Sequence, residues 1–105
     1  MARIRVCLAA EVQEGQPRRV ELDGLPPLAV FCAEGRYLVT TDKCTHGLGV
    51  LSEGFQEGTR IECPLHGGVF DLCTGEALEF PCRLPVKTWP VHVEDGWICV
   101  AADSA

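Results

Sequence analysis

The chain reads as an all-β protein, and two features of its sequence predict this. Glycine and proline punctuate it at intervals of about eight to twelve residues, with short runs rich in Val, Ile, Leu and Phe between them. No helical periodicity persists beyond about two turns. Ile4–Leu8 is the first apolar run, and Arg18–Leu22 lies between Pro17 and Gly24. Leu28–Ala33 follows a Pro26-Pro27 pair and is apolar at every position. Tyr37–Thr41 is separated from it by Glu34-Gly35, a sharp turn signal. Thr59–Glu62, Val69–Asp71 and Ala77–Phe80 are shorter candidates. Lys87–Glu94 and Trp97–Ala101 close the series, joined by Asp95-Gly96, a favoured hairpin dipeptide.

With 105 residues the chain is expected to form one domain, 1–105, which leaves little room for a large active-site cleft. Its 47% hydrophobic and 23% charged residues exclude intrinsic disorder and collagen-like repeats. A formal net charge of -6, with acidic residues spread over the whole length, argues against nucleic acid as a partner, because phosphate binding needs basic patches. Val6 to Ala10 is too short for a signal-peptide core or a membrane span, and no twin-arginine or lipidation motif opens the chain. A cytoplasmic, membrane-free monomer is the expectation. Seven cysteines, an odd number, in a reducing compartment point to metal ligation plus free thiols rather than a disulfide framework.

Between Lys43 and Gly68 the strand pattern gives way to a stretch dense in Gly, Cys, His and Pro, in which only Thr59–Glu62 keeps a strand signal. It is expected to hold two ligand-bearing loops joined by a hairpin. The loops carry two boxes, Cys44-Thr45-His46-Gly47 and Cys63-Pro64-Leu65-His66-Gly67, with sixteen residues between His46 and Cys63. Each box pairs a soft thiolate with an imidazole, and a glycine follows each histidine where the backbone must turn or approach a metal group closely. Residues two apart in an extended loop are separated by roughly 6–7 Å, so Cys44 and His46 serve two neighbouring metals more readily than one. A Cys2His2 zinc staple is the structural alternative, although zinc modules usually show a two-cysteine knuckle and a histidine pair on a helix.

These boxes resemble the C-x-H and C-x-x-H boxes of Rieske proteins, in which two cysteines hold one iron and two histidines the other. Val50-Leu51-Ser52-Glu53-Gly54-Phe55 and Phe70-Asp71-Leu72-Cys73-Thr74-Gly75-Glu76-Ala77-Leu78 look like segments of the soluble Rieske ferredoxins of bacterial ring-hydroxylating dioxygenase systems. The resemblance implies a Rieske fold: an antiparallel β-sandwich-like base with an inserted two-loop cluster-binding subdomain at about residues 43–70. It implies one Rieske-type 2Fe-2S cluster, with Cys44 and Cys63 on the inner iron and His46 and His66 on the outer. It also implies a carrier of single electrons in aromatic catabolism rather than an enzyme, loaded by a flavin-containing NAD(P)H-dependent reductase and unloaded by a terminal Rieske oxygenase. His92 is the only histidine left over, so no mononuclear-iron triad can be assembled here. Other roles within the resemblance are a small subunit of another reductase or a detached oxygenase domain.

Cys7, Cys32 and Cys99 lie in apolar runs and are expected to be small buried hydrophobes. Cys73 and Cys82 lie near the loops in sequence but at no ligand spacing, and His92 is expected on the solvated face of its strand. Pro81–Pro85 resembles the proline-bearing loop that shields Rieske clusters. Rieske subunits of respiratory complexes carry an inter-loop disulfide and two hydroxyl donors at positions that here hold Gly49, Leu65, Gly68 and Phe70. Without those donors the cluster is expected at the low end of the roughly -150 to +300 mV Rieske range.

Overall fold

The computed structural model describes residues 3–45, 47–65 and 67–101. Its strands are β1 (Arg3–Leu8), β2 (Arg18–Val20), β3 (Leu28–Ala33), β4 (Arg36–Thr41), β5 (Phe55–Glu57), β6 (Arg60–Glu62), β7 (Val69–Asp71), β8 (Ala77–Glu79), β9 (Thr88–Trp89), β10 (Val91–Glu94) and β11 (Trp97–Ala101). The only helical pieces among the described residues are two single 3-10 turns, Ala9–Glu11 and Leu51–Glu53. All strand pairs are antiparallel and form three sheets, ordered β1-β11-β10, β2-β3-β4-β9 and β5-β6-β7-β8.

β3 explains how the sheets stack. Its alternate side chains enter two different cores: Leu28 and Val30 pack with Val6, Val39, Trp89, Ile98 and Val100, whereas Ala29 and Phe31 pack with Leu51, Ile61, Phe70 and Leu72. A strand covered on both faces needs a continuous apolar run, which is what Leu28–Ala33 supplies. The first core joins the first two sheets, and the second seats the third sheet and its loops on the far side of β3. Burial of a residue such as Phe31 or Phe70, both 0% exposed, stabilises the fold by about 1.5–3 kcal/mol each.

Both expected tight hairpins form. Glu34 and Gly35 adopt φ of 53° and 77°, and Asp95 and Gly96 of 52° and 81°, the left-handed pair that two-residue hairpin loops require. The expected strand Lys87–Glu94 is two strands instead: β9 pairs with β4 in the second sheet and β10 with β11 in the first. Pro90 stands between them, and its missing N–H ends one ladder where the chain crosses to the other. β5 carries no apolar alternation because its one large apolar side chain, Phe55, faces outward. Its Gln56 instead donates inward to the carbonyls of Cys32 and Gly58.

Candidate functional site

The two Cys/His boxes sit on loops of like construction. In the first, Lys43 and Val50 form a β-bridge and the Cys44 N–H donates to the Gly49 carbonyl at 2.9 Å. In the second, the Cys63 N–H donates to the Gly68 carbonyl at 2.7 Å, and the Gly67 N–H, at φ +75°, donates back to Cys63. Each cysteine is thus tied at the neck of its loop to a glycine five positions on. Both are buried, at 1% and 2% exposure for Cys44 and Cys63.

Those two neck glycines have no room for a side chain. A Cβ on Gly49 would stand 2.6 Å from Cys63 Sγ, so the thiol of the second loop lies directly against the first. A Cβ on Gly68 would stand 2.2 Å from Cys82 Sγ, which belongs to a third segment, Pro81–Pro85. This segment is fastened over the first loop by Thr45, whose hydroxyl donates to the Leu84 carbonyl at 2.8 Å. Cys82 Sγ lies 3.7 Å from Cys44 Sγ, and the sulfurs of Cys44, Cys63 and Cys82 share one core with Phe31, Ile61 and Phe70. Burial, reinforced by the hydrogen bond with Cys44, pushes the Cys82 thiol up to about 12.

The base of the first loop is closed by a buried carboxylate. Asp42, 0% exposed, accepts hydrogen bonds from the Ser52 N–H at 2.7 Å, the Ser52 hydroxyl at 3.0 Å and Arg19 Nη1 at 2.6 Å. Its own carbonyl accepts from the Leu51 N–H and its N–H donates to Pro27, so β3, β4 and both ends of the loop meet at one residue.

Around the loops the surface is apolar. Leu48, Phe80 and Leu84 are 87%, 73% and 66% exposed, and a groove of about 680 Å³ runs between Leu48 and Leu84, flanked by Lys43 and Lys87. Large apolar side chains gathered in the open mark a contact surface.

Of the expected ligands, Cys44 and Cys63 are buried in one core, with Cys63 Sγ against the first loop at Gly49, while His46 and His66 lie outside the described residues. Cys7 and Cys99 are buried as expected. Cys32 is only half-buried: it shares the face of Leu28 and Val30 and packs against the first core, but at the hairpin end of β3, with its sulfur 4.0 Å from Glu14. Cys73 is exposed beside Arg36, away from the loops, and His92 is exposed on β10. Sequence reasoning passed over Asp42 and left Cys82 without a role. Neither carries a spacing signal, since both act on residues distant in the chain.

The chain matches the model of the Rieske [2Fe-2S] domain over residues 2–90. It is 43% identical to the ferredoxin CarAc of Metapseudomonas resinovorans over 100 residues, covering 95% of this chain and 94% of that one. Among solved structures it aligns with the Sphingomonas yanoikuyae B1 ferredoxin at a TM-score of 0.92 and 48% identity, covering 94% and 97% of the two chains. A chain from the complex of reduced oxygenase and oxidized ferredoxin in carbazole 1,9a-dioxygenase aligns at a TM-score of 0.90 and 42% identity, covering 98% of this chain and 95% of that one.

Proposed function

Since the chain belongs to the Rieske [2Fe-2S] domain family, we propose that it is the ferredoxin of a ring-hydroxylating dioxygenase system, taking one electron from a flavin-containing NAD(P)H-dependent reductase and delivering it to a terminal Rieske oxygenase. The observation that carries this reading is the near full-length likeness to a chain of an oxygenase–ferredoxin complex. The oxygenase, not this chain, performs the ring chemistry and selects the substrate. The protein works as a cytoplasmic monomer, in a compartment that suits seven reduced cysteines.

In this reading Cys44 and Cys63 hold one iron, and His46 and His66 the other. The described half of that ligand set fits such a group: two buried thiols in one core, on loops whose neck glycines carry no side chain where the sulfurs of Cys63 and Cys82 stand. When bound, a Rieske cluster accepts and returns a single electron. Cys44 and Cys63, both buried, would anchor it, Thr45 and Leu84 hold the covering segment down, and Leu48, Leu65 and Leu84 would present an apolar rim to the partner. A zinc staple does not account for the family match.

Purified protein is expected to contain about two irons and two acid-labile sulfides per chain. One zinc per chain without labile sulfide would remove the redox reading. Function is tested by reconstitution: turnover of a ring-hydroxylating oxygenase with a flavoprotein reductase must depend on this chain. If turnover proceeds equally well without it under limiting reductase, the carrier role is wrong.

The apolar rim gives a separate expectation. Leu48→Ser and Leu84→Ser, both on exposed side chains, should slow electron delivery to the oxygenase several-fold while the iron content stays at that of the parent protein. Stopped-flow reoxidation of the reduced carrier measures this. Unchanged rates in both variants would place docking elsewhere.

A further inference from the structure

We infer that the Cys82 thiol donates a hydrogen bond to the sulfur of Cys44 and so raises the reduction potential of the bound cluster. The inference rests on Cys44 being a cluster ligand, as proposed above. Cys82 is a positioning residue in this role, because it reaches the iron only through Cys44.

The geometry carries the argument. Cys82 is the one further cysteine whose sulfur enters the core shared by Cys44 and Cys63, and its Sγ is 3.7 Å from Cys44 Sγ. That separation is within hydrogen-bond reach for two sulfurs, and by distance alone either could donate. Iron ligation removes the ambiguity. A ligating cysteine is a thiolate with no proton to give, so the proton between the two sulfurs belongs to Cys82. A thiol buried in apolar surroundings keeps its proton, and Cys82 is 5% exposed.

The sulfur is also held in place. It rests against Gly68, where even a methyl group would overlap it, and the Cys82 N–H donates to the Glu79 carbonyl at 3.2 Å. The segment that carries it is pinned to the first loop through Thr45 and Leu84. The thiol therefore cannot swing out to solvent without lifting the whole covering segment.

The sign follows from charge. Reduction adds one negative charge, part of which spreads onto the ligand sulfurs, and a hydrogen-bond donor stabilises the more negative state. Cys82 thus supplies from the covering segment a donor of the kind that the loops lack at Gly68 and Phe70. An S–H is a weaker donor than a hydroxyl, so it offsets their loss only in part.

The test uses the loaded full-length chain with Cys82→Ala and Cys82→Ser. Iron and labile sulfide are counted first, and potentials are then taken by protein-film voltammetry. Cys82→Ala should lower the potential by about 59 mV, a tenfold fall in the reduced-to-oxidised ratio at fixed potential. Cys82→Ser keeps a donor in the same place and should lie at or above the parent value. Resonance Raman spectra of the parent in D2O should show an iron–cysteine stretch displaced from its position in H2O, with part of that displacement absent from Cys82→Ala. An Ala potential equal to or above the parent overturns the inference. If Cys82→Ala does not retain iron, a Ser potential below the parent, or a parent spectrum insensitive to D2O, overturns it equally. A parent protein without iron and sulfide would instead refute the ligand assignment, so the two failures are distinguishable.

Discussion

Gly49→Ala should empty the metal site. The new Cβ would stand 2.6 Å from Cys63 Sγ, with Leu65 side-chain carbons at 3.4 and 3.5 Å filling the space beside it. Non-bonded heavy atoms settle at about 3.5–4.0 Å, so the sulfur must retreat by roughly 1 Å. Metal sites hold their ligand distances to within about 0.2 Å, so a displacement of this size would take Cys63, one of the proposed ligands, out of bonding range. Iron and labile sulfide per chain should fall from about two each to near zero, with loss of the visible charge-transfer bands. Gly47→Ala is the matched control, since a Cβ there meets no described atom within 4 Å and the backbone is not left-handed. It should keep its iron. Equal iron in Gly49→Ala and the parent would show that the second loop can shift to accommodate the methyl group.

Asp42→Ala should cost the protein about 3 kcal/mol. The carboxylate is fully buried, and its removal leaves the Ser52 N–H and hydroxyl without their acceptor. Each buried donor left unmade costs about 1–3 kcal/mol. Arg19 adds little to the loss, because its side chain is 40% exposed and returns to water. For a chain of this size about 3 kcal/mol corresponds to a fall in Tm of more than about 10 °C. Asp42→Asn keeps one acceptor oxygen and should lose roughly half as much. Because Asp42 closes the neck of the Cys44 loop, iron should also be lost faster to a chelator in both variants. Thermal melts of the loaded proteins test the first part and chelation rates the second. A Tm within about 2 °C of the parent for Asp42→Ala would mean that water takes over the role of the carboxylate.

Much of this molecule is legible in its sequence because the relevant physics is local. A left-handed turn needs particular residues at two adjacent positions, so Glu34-Gly35 and Asp95-Gly96 announce their hairpins. A strand buried on both faces needs an unbroken apolar run, and Leu28–Ala33 is one. The two Cys/His boxes are short enough for their spacing to state the donor chemistry, and with the flanking segments they identify the family. The break at Pro90 was also available in principle, since proline cannot donate to a ladder. Which two sheets it separates was not, because that depends on the partners β4 and β11.

What the chain by itself determined was therefore the all-β class, the hairpins, the unbroken apolar run of β3 and the family with its cofactor. The tertiary structure alone decided the stacking of three sheets through β3, the clamp at Asp42 and the placement of Cys82 between the loops. The physical reason is range: Asp42 meets Arg19 across 23 positions, and Cys82 meets Cys44 across 38. A carboxylate and a thiol carry no mark of what will face them. Cys73, exposed beside Arg36, and Cys82, seated against Cys44, were equivalent in sequence and became different residues only when the covering segment folded over the first loop.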